Sequence, residues 1–288
     1  MHLMFRLLMV MSALLSSIVV ADELRLSGSD EKRFPNLIIE QAIKRAGHSY
    51  RYPDDKKFVN MSRRLTNAQT GVYHIMWTLT SKEYEESMIP IRIPIYRGML
   101  AMRVGIVRKD RVNLFANVKT LDDLKQFKAG QGSNWSDTFI LQANGIKVVK
   151  EEKYPNLFPM LEGGRYDYFP RGIHEPWAEV VRHDELELTV EPRVMLRYVA
   201  PFYYFVSFNY PELAPQLEKV LYSMIKDGTY ERMFFADPEV KNALERANVQ
   251  NRIVFDLKNP ELSPLTPLDK KELWFDPVTY KGNNGEDE

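Results

Sequence analysis

The chain has 288 residues, 39 Lys and Arg against 39 Asp and Glu, 44% apolar residues, and no cysteine. The length suffices for one large or two ordinary domains with a real core. Balanced charge argues against a polyanion-binding surface and so against nucleic acid as a partner. The missing cysteines exclude disulfides, thiolate metal sites, a cysteine nucleophile and a lipid-modified N-terminal cysteine.

Residues 1–21 read MHLMFRLLMVMSALLSSIVVA: one basic residue, Arg6, precedes an apolar run that ends in small and modest side chains. The pattern predicts a signal peptide cleaved after Ala21. The run falls short of the ~20 apolar residues that span a bilayer, and no second such run follows. An exported, periplasmic protein is expected.

Short apolar strands then alternate with helices. Leu24-Arg25-Leu26 predicts a brief strand running into the loop Ser27–Asp30. A helix follows with Pro35 in its first turn, apolar residues at Ile39, Ala42, Ile43 and Ala46, and Gly47 as the stop. His48–Tyr52 reads as a strand, Ser62–Gln69 as a polar helix, and Val72–Trp77 as a strand ending in Thr78-Leu79-Thr80. Met99–Val107, apolar but for Arg103, predicts a buried strand.

A second unit repeats this layout. Thr120 and Asp123 predict a capped short helix. The loop 130–135 feeds a helix over Asp137–Ala143 that stops at Asn144-Gly145, and Ile146–Val149 is the next strand. Residues 196–208 form an apolar strand pair. Asn209 with Glu212 opens a helix burying Leu217, Val220, Leu221, Met224 and Ile225, and Asp237-Pro238 caps another to about Ala247. Two such units predict two α/β lobes, lobe 1 from 22–103 plus 196–250 and lobe 2 from 104–195. Crossings near 99–104 and 195–200 would form a hinge. Prolines 260, 264, 267 and 277 and the polar acidic end predict an extended tail over 251–288, its last residues disordered.

This order of elements resembles the extracellular solute-binding proteins of family 3, the polar amino-acid-binding type, over roughly residues 24–235. Gly71, Val72–Trp77, Thr80-Ser81-Lys82-Glu83 and Ile91–Ile95 occupy the places of the family's first-lobe motifs, and Gly164–Tyr168 that of its second-lobe motif. The stretches GQGSNWSDTFILQANG, GRYDYFPRG and NPELSPLTPLDKKELWFDP resemble a divergent proteobacterial subgroup. The resemblance implies a two-lobed periplasmic binding protein of type II, with a hinge of two crossings. It also implies departures: the arginine that clamps an α-carboxylate falls at Glu83, and the acidic residue that holds an α-ammonium falls near Arg171-Gly172. A standard α-amino acid is therefore not the expected ligand.

Candidate binding residues follow from placement. In the loop 130–135, Gln131, Gly132, Ser133 and Asn134 would offer backbone and side-chain donors at a helix N-terminus. Trp135 would be either a stacking face or part of a lobe core. Its position, where a dinucleotide fingerprint needs a third glycine, argues against that motif. Arg171, between Pro170 and Gly172, would either point into the cleft and hold an anion or pair on the surface with Glu175. Arg92 would sit at the cleft rim or in solvent. Glu175 and Glu83 would suit a cationic portion of the ligand. Thr78 and Tyr204 would wall the cleft, and Trp77 would either join them or belong to the core.

Enzyme constellations are sparse: no Gly-x-Ser-x-Gly elbow, no phosphate-binding loop, and only Glu179 and His183 at a metal-like spacing without a third ligand. A recruited lyase would use Glu175 beside His174. The expectation is a non-enzymatic periplasmic solute-binding protein, a monomer without cofactor or metal. It would capture a small polar, carboxylate-bearing ligand by hinge closure and pass it to an inner-membrane ABC-type permease. The alternative is a ligand-sensing partner of a membrane receptor.

Overall fold

The computed structural model describes residues 23–28, 32–53, 59–277 and 280. The leader and its cleavage after Ala21, the end of the loop Ser27–Asp30, and the acidic end at 281–288 lie outside the described residues.

In chain order the elements are β1 (Leu24–Arg25), α1 (Phe34–Arg45), β2 (Tyr50–Arg51), α2 (Met61–Gln69), β3 (Ile75–Leu79), α3 (Lys82–Ser87), β4 (Ile89–Ile91) and β5 (Met102–Arg108). Next come α4 (Leu121–Leu124), β6 (Lys128–Gly132), α5 (Ser136–Ala143), β7 (Lys147–Glu151), α6 (Tyr154–Glu162), β8 (Phe169–Gly172), α7 (Pro176–Arg182) and β9 (Leu188–Val190). The chain finishes with β10 (Val194–Arg197), β11 (Phe202–Val206), α8 (Leu213–Lys226), α9 (Thr229–Ala236), α10 (Pro238–Arg246) and β12 (Ile253–Asp256).

Local chemistry sets most of the boundaries. Pro35 stands in the first turn of α1, whose Ile38, Ile39, Ala42 and Ile43 are buried, and Gly47 takes a left-handed φ of 83° just beyond it. Asn60 accepts from the Arg63 amide to start α2. Thr120 and Asp123 form a reciprocal capping box on α4, and the Asp237 carboxylate accepts from the Glu239 and Val240 amides to start α10. Four helices were not legible as periodic runs: α3, of six residues; α6, which carries an internal Pro159; α7, of seven residues; and α9, separated from α8 only by Asp227-Gly228.

Two α/β lobes result. In the first, β1 and β2 pair in parallel, Leu26 bridges to Ile75 of β3, and β11 runs antiparallel between β3 and β4. In the second, β6 and β7 pair in parallel, Ala129 bridges to Tyr168 beside β8, and β8 and β9 run antiparallel to β5. Between the lobes β5 pairs antiparallel with β10, Arg103 lying opposite Leu196 and Met102 opposite Arg197.

The hinge has a third strand. β12 lies parallel to β10, Ile253 to Asp256 against Val194 to Arg197. Arg252 is buried beside it, its guanidinium donating to the carbonyls of Ala247, Glu191 and Val194. Further on, Asn144 and Lys258 exchange hydrogen bonds, Lys270 donates to the Tyr222 hydroxyl, and the Phe275 amide donates to the Arg97 carbonyl. The segment expected as an extended tail over the surface thus ties the second lobe, the hinge and the first lobe together.

Candidate functional site

A cavity of about 290 Å3 lies between the lobes. Lobe one supplies Arg64 from α2, Trp77, Thr78 and Leu79 from β3, and Glu239 from α10. Lobe two supplies Trp135 and Ser136 at the start of α5, Tyr154 from α6, Arg171 from β8, and His174, Glu175 and Glu179 around α7. Arg103 of hinge strand β5 forms part of the wall.

Direct bonds join the two lobes. The Asn134 side chain donates to the Ser62 hydroxyl at 2.7 Å, and the Tyr84 hydroxyl donates to the Asn134 carbonyl at 2.7 Å. The Ser136 hydroxyl donates to the Leu79 carbonyl at 3.2 Å.

Two of the arginines carry their own counter-charges. Arg103 donates through Nε to Tyr198 and pairs with Asp137 at 2.7 Å and Glu175 at 3.3 Å. Arg171 engages both oxygens of Glu179 through Nε, at 3.0 and 2.8 Å, and Glu175 through Nη2 at 2.5 Å. Burial works to lower the pKa of Arg171, but the two carboxylates outweigh it and hold the guanidinium firmly charged.

Arg64 differs. Its contacts are the Ser27 hydroxyl at 3.2 Å, the Trp77 carbonyl at 3.5 Å and the face of the Trp77 ring at 5.6 Å; its Nε is buried without a partner. No carboxylate among the described residues pairs with it, and burial lowers its pKa. Trp77 fits here because Gly28, at φ 96°, leaves room for its ring, which a Cβ would meet at 3.2 Å.

Two other groups titrate abnormally. Burial, aided by the positive Arg103 and Arg171, pushes His174 down to about 3, so the imidazole is neutral as it stacks on Tyr96 at 4.1 Å. Burial also raises Glu239 to about 7; Arg33 opposes the shift, and Asp237, Glu175 and Glu179 add to it.

Of the residues chosen from sequence, Trp77, Thr78, Trp135, Arg171 and Glu175 come together in this cavity. Others do not line it. Arg92 pairs with Glu85 at 2.6 Å. Tyr204 is buried in the first lobe, where its hydroxyl donates to the Pro35 carbonyl and its ring meets the edge of Trp77. Gln131 and Gly132 belong to strand β6 rather than a loop: Gln131 is buried and donates to the Pro170 carbonyl, and Gly132 lies under Trp135, whose ring a Cβ would meet at 2.3 Å. That glycine serves ring packing, not anion approach. Ser133 donates its amide to the Glu151 carbonyl, and Asn134 serves the closure. Arg171 is buried, lines the cavity and pairs with Glu175 there, so that pair does not lie on the surface.

Sequence reasoning missed Arg64, Tyr154, Glu179 and Glu239. Arg64 stands on a polar helix and looks like any solvated arginine. Glu179, spaced to suit His183, turns instead to Arg171, while His183 stacks on Phe158 at 4.0 Å. Arg103 did leave a signal as the one charge in an apolar strand.

No protein-family model matches the chain, and no curated protein sequence does. Solved structures match its fold. An ancestral arginine-binding protein bound to arginine aligns with a TM-score of 0.59 at 19% identity, over 76% of this chain and 99% of that one. A periplasmic His/Glu/Gln/Arg/opine family-binding protein from Silicibacter pomeroyi in complex with lysine aligns with a TM-score of 0.57 at 13% identity, over 74% and 95%. A histidine kinase sensor domain with similarity to periplasmic binding proteins aligns at 0.56 and 13%, over 76% and 97%. At such identities the likeness establishes the fold, that of the two-lobed periplasmic binding proteins. No helix among the described residues is long and apolar enough to cross a membrane.

Proposed function

We propose that the chain is a periplasmic solute-binding protein that captures a small polar, carboxylate-bearing solute between its lobes and passes it to an ABC-type importer. Arg64 carries this reading: a guanidinium in the cavity wall with a buried, unpartnered Nε and no carboxylate among the described residues against it is matched by a solute that brings one. Trp77 and Thr78 would contact the solute from the first lobe, and Trp135, Ser136 and Arg171 from the second. Solved relatives of this fold bound to arginine and lysine support a solute of about amino-acid size. Export by the 1–21 leader, lobe boundaries near 103 and 196, and a monomer belong to the same proposal.

A lyase role gains no support from the site. Both Glu175 oxygens are engaged, by Arg171 on one side and by Arg103 and the Gly172 amide on the other, and the neighbouring His174 is held neutral. The sensory alternative is favoured by the histidine kinase sensor domain that shares the fold.

Calorimetric titration of the purified protein with small mono- and dicarboxylates tests the proposal. A saturable carboxylate should bind, and Arg64→Met should weaken it by about 1.5–3 kcal/mol, the usual worth of a hydrogen bond to a charged group. Equal affinity in the variant would remove Arg64, and this account of the solute, from the site.

A further inference from the structure

Within the cavity, the Arg171 guanidinium lies among aromatic rings and carboxylates. Its guanidinium carbon lies 5.3 Å from the ring centre of Trp135, 5.6 Å from that of Tyr154 and 5.0 Å from that of Phe169. Glu179 receives Nε on both oxygens, and its Oε1 also accepts from Nη2 at 2.7 Å; Glu175 receives Nη2 as well. The Tyr154 hydroxyl donates to Glu179 Oε1 at 2.6 Å and fixes that carboxylate in place. Nε and Nη2 make these bonds, and Nη1 is left over. Aromatic faces with buried carboxylates at their edge are the chemistry by which a guanidinium or ammonium solute is recognised. Trp135, Tyr154, Glu175 and Glu179 all line the cavity.

We propose that Arg171 is a tethered occupant of a cation subsite in the solute cavity, and that by filling it the chain excludes solutes with a cationic end and restricts the cavity to anionic or uncharged-tailed ones. This rests on the cavity being the solute site. The consequence is that the subsite exists without Arg171: the arrangement around the guanidinium is held by Glu179 through Tyr154 and by Glu175 through the Gly172 amide, neither of which depends on the arginine. The arginine sets selectivity by occupancy, and its loss should exchange one ligand class for another.

Arg171→Ala tests this through rescue by methylguanidinium. In the wild-type protein, millimolar methylguanidinium should leave the melting temperature unchanged relative to sodium chloride at equal ionic strength. In Arg171→Ala the melting temperature should fall, and methylguanidinium should raise it in a saturable way, with one site by calorimetry. The double variant Arg171→Ala, Glu179→Gln should lose that rescue while being more stable than Arg171→Ala alone, because no buried carboxylate is then left unpaired. If Arg171→Ala does not accumulate folded, its refolding yield from urea with methylguanidinium against sodium chloride gives the same comparison. Equal effects of methylguanidinium and sodium chloride on Arg171→Ala, or a rescue that survives Glu179→Gln, would overturn the proposal. Neither result involves Arg64 or the natural solute, so failure here is separable from failure of the carboxylate reading.

Discussion

The Asn134 side chain donates to the Ser62 hydroxyl at 2.7 Å, a bond between residues 72 positions apart that joins the two lobes. Tyr84 adds a second bond to the same residue, donating to the Asn134 carbonyl. Closure is thus supported by protein contacts before any solute contributes. A solute then adds only the difference between what it gains in the closed and open forms.

Tyr84→Phe keeps the buried ring and removes only the hydroxyl. It should weaken closure by about 0.5–1.5 kcal/mol, the net worth of one such bond. Small-angle scattering of the solute-free protein should show a larger radius of gyration in the variant. An unchanged scattering curve would mean that the bond does not govern the opening.

Glu239 makes stability depend on pH. Its folded pKa of about 7 lies above the ordinary 4.5, so the stability it allows is complete below pH 4.5 and is lost as pH rises through 7. Glu239→Gln should flatten that slope and stabilise the protein at alkaline pH by about 1–3 kcal/mol. Urea midpoints measured on both sides of neutrality read this directly.

His174 works in the opposite direction. Its folded pKa of about 3 lies below the ordinary 6.5, so the stability of the buried neutral ring is complete above pH 6.5 and is lost as pH falls toward 3. His174→Phe keeps a ring on Tyr96 and removes a buried Nδ1 that has no partner. The variant should resist acid unfolding better than the parent, as judged by the pH midpoint of tyrosine and tryptophan fluorescence.

The C-terminal segment should behave as part of the fold. Leu273 is 1% exposed, and Trp274 packs on Gly98, which takes φ 89° and has no room for a Cβ beside that ring. Leu273→Ala should cost about 2–5 kcal/mol, as for other buried leucines. Chemical denaturation measures the loss, and a loss near zero would mean that the segment only lies over the surface.

The sequence made the repeated strand–helix layout, the caps at Thr120 and Asp237 and the hinge strand with its lone Arg103 legible, because each rests on local chemistry. The site was legible only in part. Trp77, Trp135 and Arg171 stand near the ends of recognisable elements. Arg64 follows Ser62 and Arg63 on a polar helix, and only the packing of α2 on Trp77 separates it from a solvated arginine. The run from Gly130 to Gly132 looked like a binding loop, yet it pairs in register with Val149, Lys150 and Glu151. Arg92 and Tyr204 were misplaced for a related reason: the partners that decide their direction, Glu85 and the Pro35 carbonyl, belong to other elements.

The most direct measurement is native mass spectrometry of the protein and of Arg64→Met, each isolated from cells without refolding, followed by denaturation and identification of what is released. One small carboxylate-bearing compound per chain is expected on the wild-type protein, with its loss from the variant. An empty wild-type protein, or a compound held equally by both, would contradict capture at Arg64.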